Sequence, residues 1–167
     1  MTLDHFNNLS ASQQKEDLFK CCGSTTWSEK LAHKSPFASI EKLKQLSDET
    51  WWQCEQKDWL EAFTHHPKIG DVKSLEKKFA STKEWASGEQ SSVTTASQEV
   101  LHQLKGRNEA YEKKFGYIFI VCATGKSASE MLGLLNNRLL NSPNAEIKIA
   151  AQEQNKITHL RIDKLFS

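Results

Sequence analysis

Only one stretch of this chain reads as a β-strand: Tyr117-Ile118-Phe119-Ile120-Val121-Cys122-Ala123. A single strand cannot satisfy its backbone donors and acceptors within a sheet, because every ladder needs a second strand. The run is therefore an extended segment whose N–H and C=O groups bond something else. It is either a buried connector or backbone that faces a ligand. Everything around it is punctuated as helix. The protein is accordingly predicted to be all-α, a single compact domain over residues 1–167, built from about seven to nine short helices.

The punctuation is local and chemical. Ser10 and Gln13 form a capping box ahead of Leu18, Phe19 and Cys22, and Gly23 closes that helix. Trp27 and Leu31 share a face at i, i+4 in a second helix, which Pro36 breaks. Ser39 caps a third, with Ile40, Leu43 and Leu46 on one side, and Ser47-Asp48 is expected to cap a fourth holding Trp51, Trp52 and Cys54. Asp58 is expected to restart the helix as Trp59-Leu60-Glu61-Ala62-Phe63. Asp71 reads as the N-cap of a helix with Val72, Leu75 and Phe79, followed by a polar stretch from Ala80 to Ser92. Ala96, Val100, Leu104, Tyr111 and Phe115 then recur near the helical period up to Gly116. Ser127 and Glu130 form another capping box, and Pro143 fits the first position of a last helix running through Ile147, Gln154 and Leu165.

Composition narrows the class of function. Lys+Arg is 22 against Asp+Glu 21, a net charge of +1, so there is no basic footprint for nucleic acid. An anionic ligand would have to be held by a few local cations. The four cysteines, Cys21, Cys22, Cys54 and Cys122, show no zinc-type spacing and read as reduced thiols. The first residues carry no basic region followed by an apolar run, and no apolar stretch approaches the ~20 residues of a membrane helix. These readings point to a cytoplasmic, non-membrane protein.

Four features carry chemistry. The first is His65-His66-Pro67, where a helix delivers titratable groups to a rigid proline; it is either an acid/base centre or an ordinary helix end. The second is Glu89-Gln90, a carboxylate beside an amide, or else a solvated turn. The third is the unpaired run at 117–123. The fourth is Arg161, either a surface cation or a planar clamp for a carboxylate. Together they make a cofactor-free acid/base site conceivable.

The elements His66-Pro67-Lys68-Ile69-Gly70, Glu89-Gln90, Phe115-Gly116-Tyr117-Ile118-Phe119-Ile120 and Lys156-Ile157-Thr158-His159-Leu160-Arg161 occur in that order. In this they closely resemble the OHCU decarboxylase family, the 2-oxo-4-hydroxy-4-carboxy-5-ureidoimidazoline decarboxylases of urate breakdown. The resemblance runs from about Phe6 to Leu165 and includes Trp59-Leu60-Glu61-Ala62-Phe63 before the histidines. It implies an all-α fold whose extended run is an active-site segment, and a homodimer without metal or cofactor. It also implies decarboxylation of a small ureidoimidazoline to (S)-allantoin. By the same resemblance His66 and Glu89 are catalytic. Pro67, Glu89, Gln90, Phe119, Ile120, Val121, Cys122, Ala123 and Arg161 meet the substrate. Ala86 stands where many relatives have serine, so a hydroxyl contact there is replaced by water or lost. The competing expectations are a non-catalytic helical binding domain and a decarboxylase of a related ureide.

Overall fold

The computed structural model describes residues 1–67, Lys73, Leu75 and residues 91–167, the last stretch without the side chains of 91–97. The expected helix after Asp71, apart from Lys73 and Leu75, and the polar stretch up to Gln90 lie outside these residues. Among the described residues there are eight helices and no strand. They are α1 (Leu3–Asn7), α2 (Ala11–Cys22), α3 (Thr25–Ala32), α4 (Ile40–Trp52), α5 (Gln56–Thr64), α6 (Ser91–Phe115), α7 (Ala128–Leu139) and α8 (Pro143–Leu165). They fall into two compact units, Met1–His66 with Ile149–Ser167, and Pro67–Lys148.

In the first unit the caps form as the sequence dictates. Ser10 Oγ accepts from Gln13 N–H, and Gln13 Oε1 accepts from Ser10 N–H. Gly23 ends α2 in the left-handed conformation, with φ +84°. Ser24 and Ser39 cap α3 and α4 through their hydroxyls. Large apolar side chains then fill the interior: Phe6, Leu18, Trp27, Leu31, Phe37, Leu43, Trp51 and Phe63 are all buried. Each contributes about 1.5–3 kcal/mol by leaving water. The buried indoles also satisfy their N–H groups. Trp27 Nε1 donates to Ser47 C=O at 3.1 Å and Trp51 Nε1 to Ala151 C=O at 2.9 Å. The α8 side of this core is Ala150, Ala151, Gln154, Thr158 and Ile162, one helical face.

Two expectations are corrected here. Ser47-Asp48 does not open a new helix, because α4 runs unbroken from Ile40 to Trp52. Ser47 is buried inside α4, and the Asp48 carboxylate accepts from Asn155 Nδ2 at 2.7 Å and from His159 Nε2 at 2.6 Å. Its capping capacity is taken by a tertiary partner. Asp58 does not start α5 either. It sits at the third helical position, where its carboxylate accepts from Glu55 N–H at 2.9 Å and from the Thr26 hydroxyl at 2.8 Å.

In the second unit α6 packs on α7 around Leu75, Leu101, Leu104, Tyr111, Ala128, Met131, Leu132 and Leu135. The Ser127–Glu130 capping box opens α7 as expected. Gly116, at φ +83°, turns the backbone out of α6, and residues 117–123 follow without helix or ladder. Tyr111 anchors this run through its ring, 5.9 Å from Tyr117 and 5.2 Å from Phe119 between centroids, in edge-to-face geometry.

Candidate active site

The histidine pair sits where α5 stops. His65 is the C-cap residue, His66 N–H reaches Phe63 C=O at 3.4 Å, and Pro67 ends any helical continuation. The two histidines part company here. His65 is exposed and lies edge-on to Phe19 at 5.0 Å. His66 is half-buried, and its Nε2 bonds Gln154 Oε1. Gly23 makes room for this corner. A Cβ on residue 23 would stand 2.9 Å from His65 Cβ, so neither the backbone conformation nor the space admits a side chain.

Arg161 belongs to the same corner of the first unit. Gln154, Thr158 and Arg161 lie at i, i+4, i+7 along α8. Gln154 Nε2 reaches Cys22 C=O at 3.4 Å and Thr158 Oγ1 at 3.3 Å, while Arg161 Nη1 donates to Cys21 C=O at 3.4 Å. The last carbonyls of α2 therefore hold both the amide that meets His66 and the guanidinium of Arg161. A cation suits the negative end of a helix dipole. Among the described residues one long hydrogen bond engages Arg161, which leaves most of the guanidinium's donors for other use. Burial keeps the adjacent thiols protonated. Burial pushes Cys21 up to about 11, against the pull of Arg161, and Cys22 up to about 12, from an ordinary 9.0.

The extended run belongs to the second unit. Ile120 is buried, and Phe119, Val121, Cys122 and Ala123 are half-buried. Three of its carbonyls are held by groups around it. Arg138 Nη1 donates to Ile120 C=O at 2.6 Å and Lys126 Nζ to Cys122 C=O at 2.8 Å, while Lys126 N–H closes on Ala123 C=O at 3.0 Å. Among the described residues, the amides of Phe119, Ile120, Val121 and Ala123 donate to none. The segment thus presents backbone donors with the carbonyls of Ile120, Cys122 and Ala123 already engaged, a pattern fitted to a ligand rich in carbonyl oxygens.

What fixes that segment was not visible in the sequence. Arg138 is 7% exposed and Glu146 fully buried, with Nε and Nη2 of Arg138 at 2.7 and 2.6 Å from Glu146 Oε1. The Tyr111 hydroxyl donates to the same oxygen at 2.5 Å, and Asn141 Nδ2 to the other at 2.9 Å. The Arg138 guanidinium lies 4.5 Å from the Phe119 ring centroid. Gln154, read from the sequence as one more residue of the last helix, is the other member that pattern could not flag. Pro67 is exposed at the start of the second unit. Ala86, Glu89 and Gln90 lie outside the described residues. Among the described residues no group of three or more His, Cys, Asp or Glu could hold a metal ion, and no helix is long and apolar enough to cross a membrane.

A family model described as OHCU decarboxylase matches residues 7–163. The uric acid degradation bifunctional protein TTL of Arabidopsis thaliana is 40% identical over 153 residues, which are 91% of this chain and 47% of that protein. The present sequence thus spans about half the length of that relative. A 2-oxo-4-hydroxy-4-carboxy-5-ureidoimidazoline decarboxylase of Halalkalicoccus jeotgali is 30% identical over 140 residues, 84% of this chain and 74% of its own. Among solved structures, an OHCU decarboxylase crystallised in the presence of (S)-allantoin superimposes with a TM-score of 0.70 at 37% identity. That match covers 90% of this chain and 97% of the other. The match over residues 7–163, with the histidine, the arginine and the extended run described above, shows that this chain belongs to the OHCU decarboxylase family.

Proposed function

We propose that this protein decarboxylates 2-oxo-4-hydroxy-4-carboxy-5-ureidoimidazoline to (S)-allantoin and CO2. The observation that carries the reading is the pairing, at one helix end, of a half-buried histidine held through one ring nitrogen with an arginine whose guanidinium is mostly uncommitted among the described residues. One supplies a proton carrier and the other an anion clamp.

The substrate's name fixes its connectivity, and the connectivity fixes the electron flow. C4 bears the hydroxyl and the carboxylate, and its neighbour C5 bears the ureido group and is doubly bonded to N1. When the C4–carboxylate bond breaks, CO2 leaves and the bonding pair forms C4=C5. The former C5=N1 pair moves to N1, which takes a proton. The hydroxyl proton then leaves as C4=O forms, and C5 takes a proton on one face. Two protons enter and one leaves, so the carboxylate anion plus one proton gives allantoin plus CO2. The ring is its own electron sink, so the reading needs no cofactor.

His66 handles the proton exchanged at the hydroxyl and C5, a contribution of roughly 10²–10⁴-fold for positioned acid/base catalysis. Arg161 holds an anionic or carbonyl oxygen of the substrate. Amides of Phe119 to Ala123 meet the ureido and ring carbonyls, and Pro67, Glu89 and Gln90 complete the set, with Glu89 holding the hydroxyl or ureido group. A donor placed on developing charge contributes about 2.7–4 kcal/mol. The proposal extends to a single domain over residues 1–167, working as a homodimer in the cytoplasm.

The test generates the substrate in place, from urate with urate oxidase and hydroxyisourate hydrolase, and follows circular dichroism. The protein is expected to speed the appearance of (S)-allantoin over the spontaneous reaction. An unchanged rate rejects the proposal.

A further inference from the structure

We infer that Gln154 is a positioning residue that holds His66 in its Nε2–H tautomer, so that Nδ1 is the ring atom that takes and gives the catalytic proton. The inference rests on the proposed role of His66 and deepens it.

The side-chain amide of Gln154 is fully buried on α8. A buried primary amide has one accepting and one donating end, and its orientation must be deduced from its neighbours. On one side lie the Cys22 carbonyl at 3.4 Å and Thr158 Oγ1 at 3.3 Å. A carbonyl can only accept. The Thr158 hydroxyl gives its single proton to the backbone carbonyl of Gln154 at 3.0 Å, so towards the side chain its oxygen also accepts. Two acceptors on that side require the NH2 group there. The reverse orientation would set one carbonyl oxygen against another in a buried site, leaving an NH2 and a C=O unpaired at about 1–3 kcal/mol each.

Gln154 Oε1 is therefore the atom facing His66 Nε2. An amide oxygen has no proton to give, so the proton in that hydrogen bond belongs to the imidazole. In the neutral ring the lone pair then resides on Nδ1. The partner of one ring nitrogen chooses the chemistry of the other, here with a neutral amide as the orienting group. This device needs no charge. It fixes ring rotation as well as tautomer. The Thr158 and Cys22 contacts hold Gln154 in turn, so the relay of orientation runs from the end of α2 through α8 to the histidine.

The first test uses the unmodified full-length protein. Two-bond ¹H–¹⁵N correlation spectra of the ¹⁵N-labelled protein report which ring nitrogen carries the proton. The His66 signals are identified by their loss in His66→Gln, and the spectrum is taken above the pH at which the ring titrates. A protonated Nε2 with an unprotonated Nδ1 is the expected result. A protonated Nδ1, or averaged signals from exchanging tautomers, overturns the inference. The second test is kinetic. Gln154→Leu is expected to lower kcat about 100-fold with KM within about threefold of wild type, because substrate contacts are untouched and proton transfer is misdirected. Gln154→Glu, which keeps an acceptor at Nε2–H, is expected to recover most of that loss. Wild-type kcat in Gln154→Leu overturns the inference whatever the spectra show. The two readings fail separately: if His66→Gln keeps full activity while the spectra show the Nε2–H ring, the catalytic role falls and the tautomer assignment stands.

Discussion

Replacing Arg138 with methionine isolates the buried charge pair beneath the extended segment. Methionine approximates the volume of the aliphatic stem, so the loss is chiefly electrostatic. Four bonds disappear: two to Glu146 Oε1 at 2.7 and 2.6 Å, one to Ile120 C=O at 2.6 Å and a long one to the Tyr111 hydroxyl at 3.5 Å. Removing one member of a buried ion pair costs about 3–5 kcal/mol, because the other charge stays behind. Glu146 keeps the Tyr111 hydroxyl and Asn141 Nδ2, which places its share at the low end, about 3 kcal/mol. The orphaned Ile120 carbonyl adds about 1 kcal/mol. A total near 4 kcal/mol corresponds to about 8–16 °C in Tm for a protein of this size. The assay is urea unfolding followed by far-UV circular dichroism, with Arg138→Met, Glu146→Gln and the double variant forming a cycle. Neutralising the stranded carboxylate should recover about 2 kcal/mol, so the double variant is predicted to be more stable than Arg138→Met. A single variant that costs less than about 1 kcal/mol, or singles that simply add, refutes the assignment of this pair as the fastening of the segment.

Other consequences are more local. Gly23→Ala puts a β-carbon into the left-handed region and against His65; a loss of about 2 kcal/mol in urea unfolding is expected, and an unshifted midpoint contradicts it. Burial raises the thiols of Cys21 and Cys54 to about 11 and that of Cys22 to about 12, from 9.0. Above 9.0 the unfolded protein releases these protons while the folded protein keeps them, so stability must fall as pH rises from 9.0 to about 11. Urea midpoints across that window should decline, and less steeply in Cys22→Ala; equal slopes rule the explanation out. Arg161→Lys removes the planar fork but keeps the charge. It is expected to raise KM and lower kcat/KM at least about tenfold with the fold intact, and unchanged kinetics would remove Arg161 from the site.

The fold was legible where its causes are local. The Ser10–Gln13 and Ser127–Glu130 boxes, Gly23 as a left-handed stop and Pro143 at a helix start each depend on a few adjacent residues, and each forms. A lone apolar run that could not be a sheet strand stands outside both helix and ladder for the same reason. The misreadings fall where a distant partner decides. Asp48 looks like a cap until Asn155 and His159 occupy it, and Asp58 looks like a start until Glu55 and Thr26 do. The candidate site residues divide the same way. His66 and Arg161 carry motif signals, whereas Gln154 and Arg138 act through contacts 88 and 18 residues away. Neither residue type nor spacing distinguishes them from ordinary helix residues.

The central claim is that His66 moves the proton in decarboxylation of the ureidoimidazoline. Its most direct test is His66→Gln in the coupled circular-dichroism assay, with far-UV spectra of both proteins recorded beside it. Wild type is expected to accelerate formation of (S)-allantoin, while the variant matches the spontaneous rate with an unaltered helical spectrum. Near-wild-type turnover by the folded variant would contradict it.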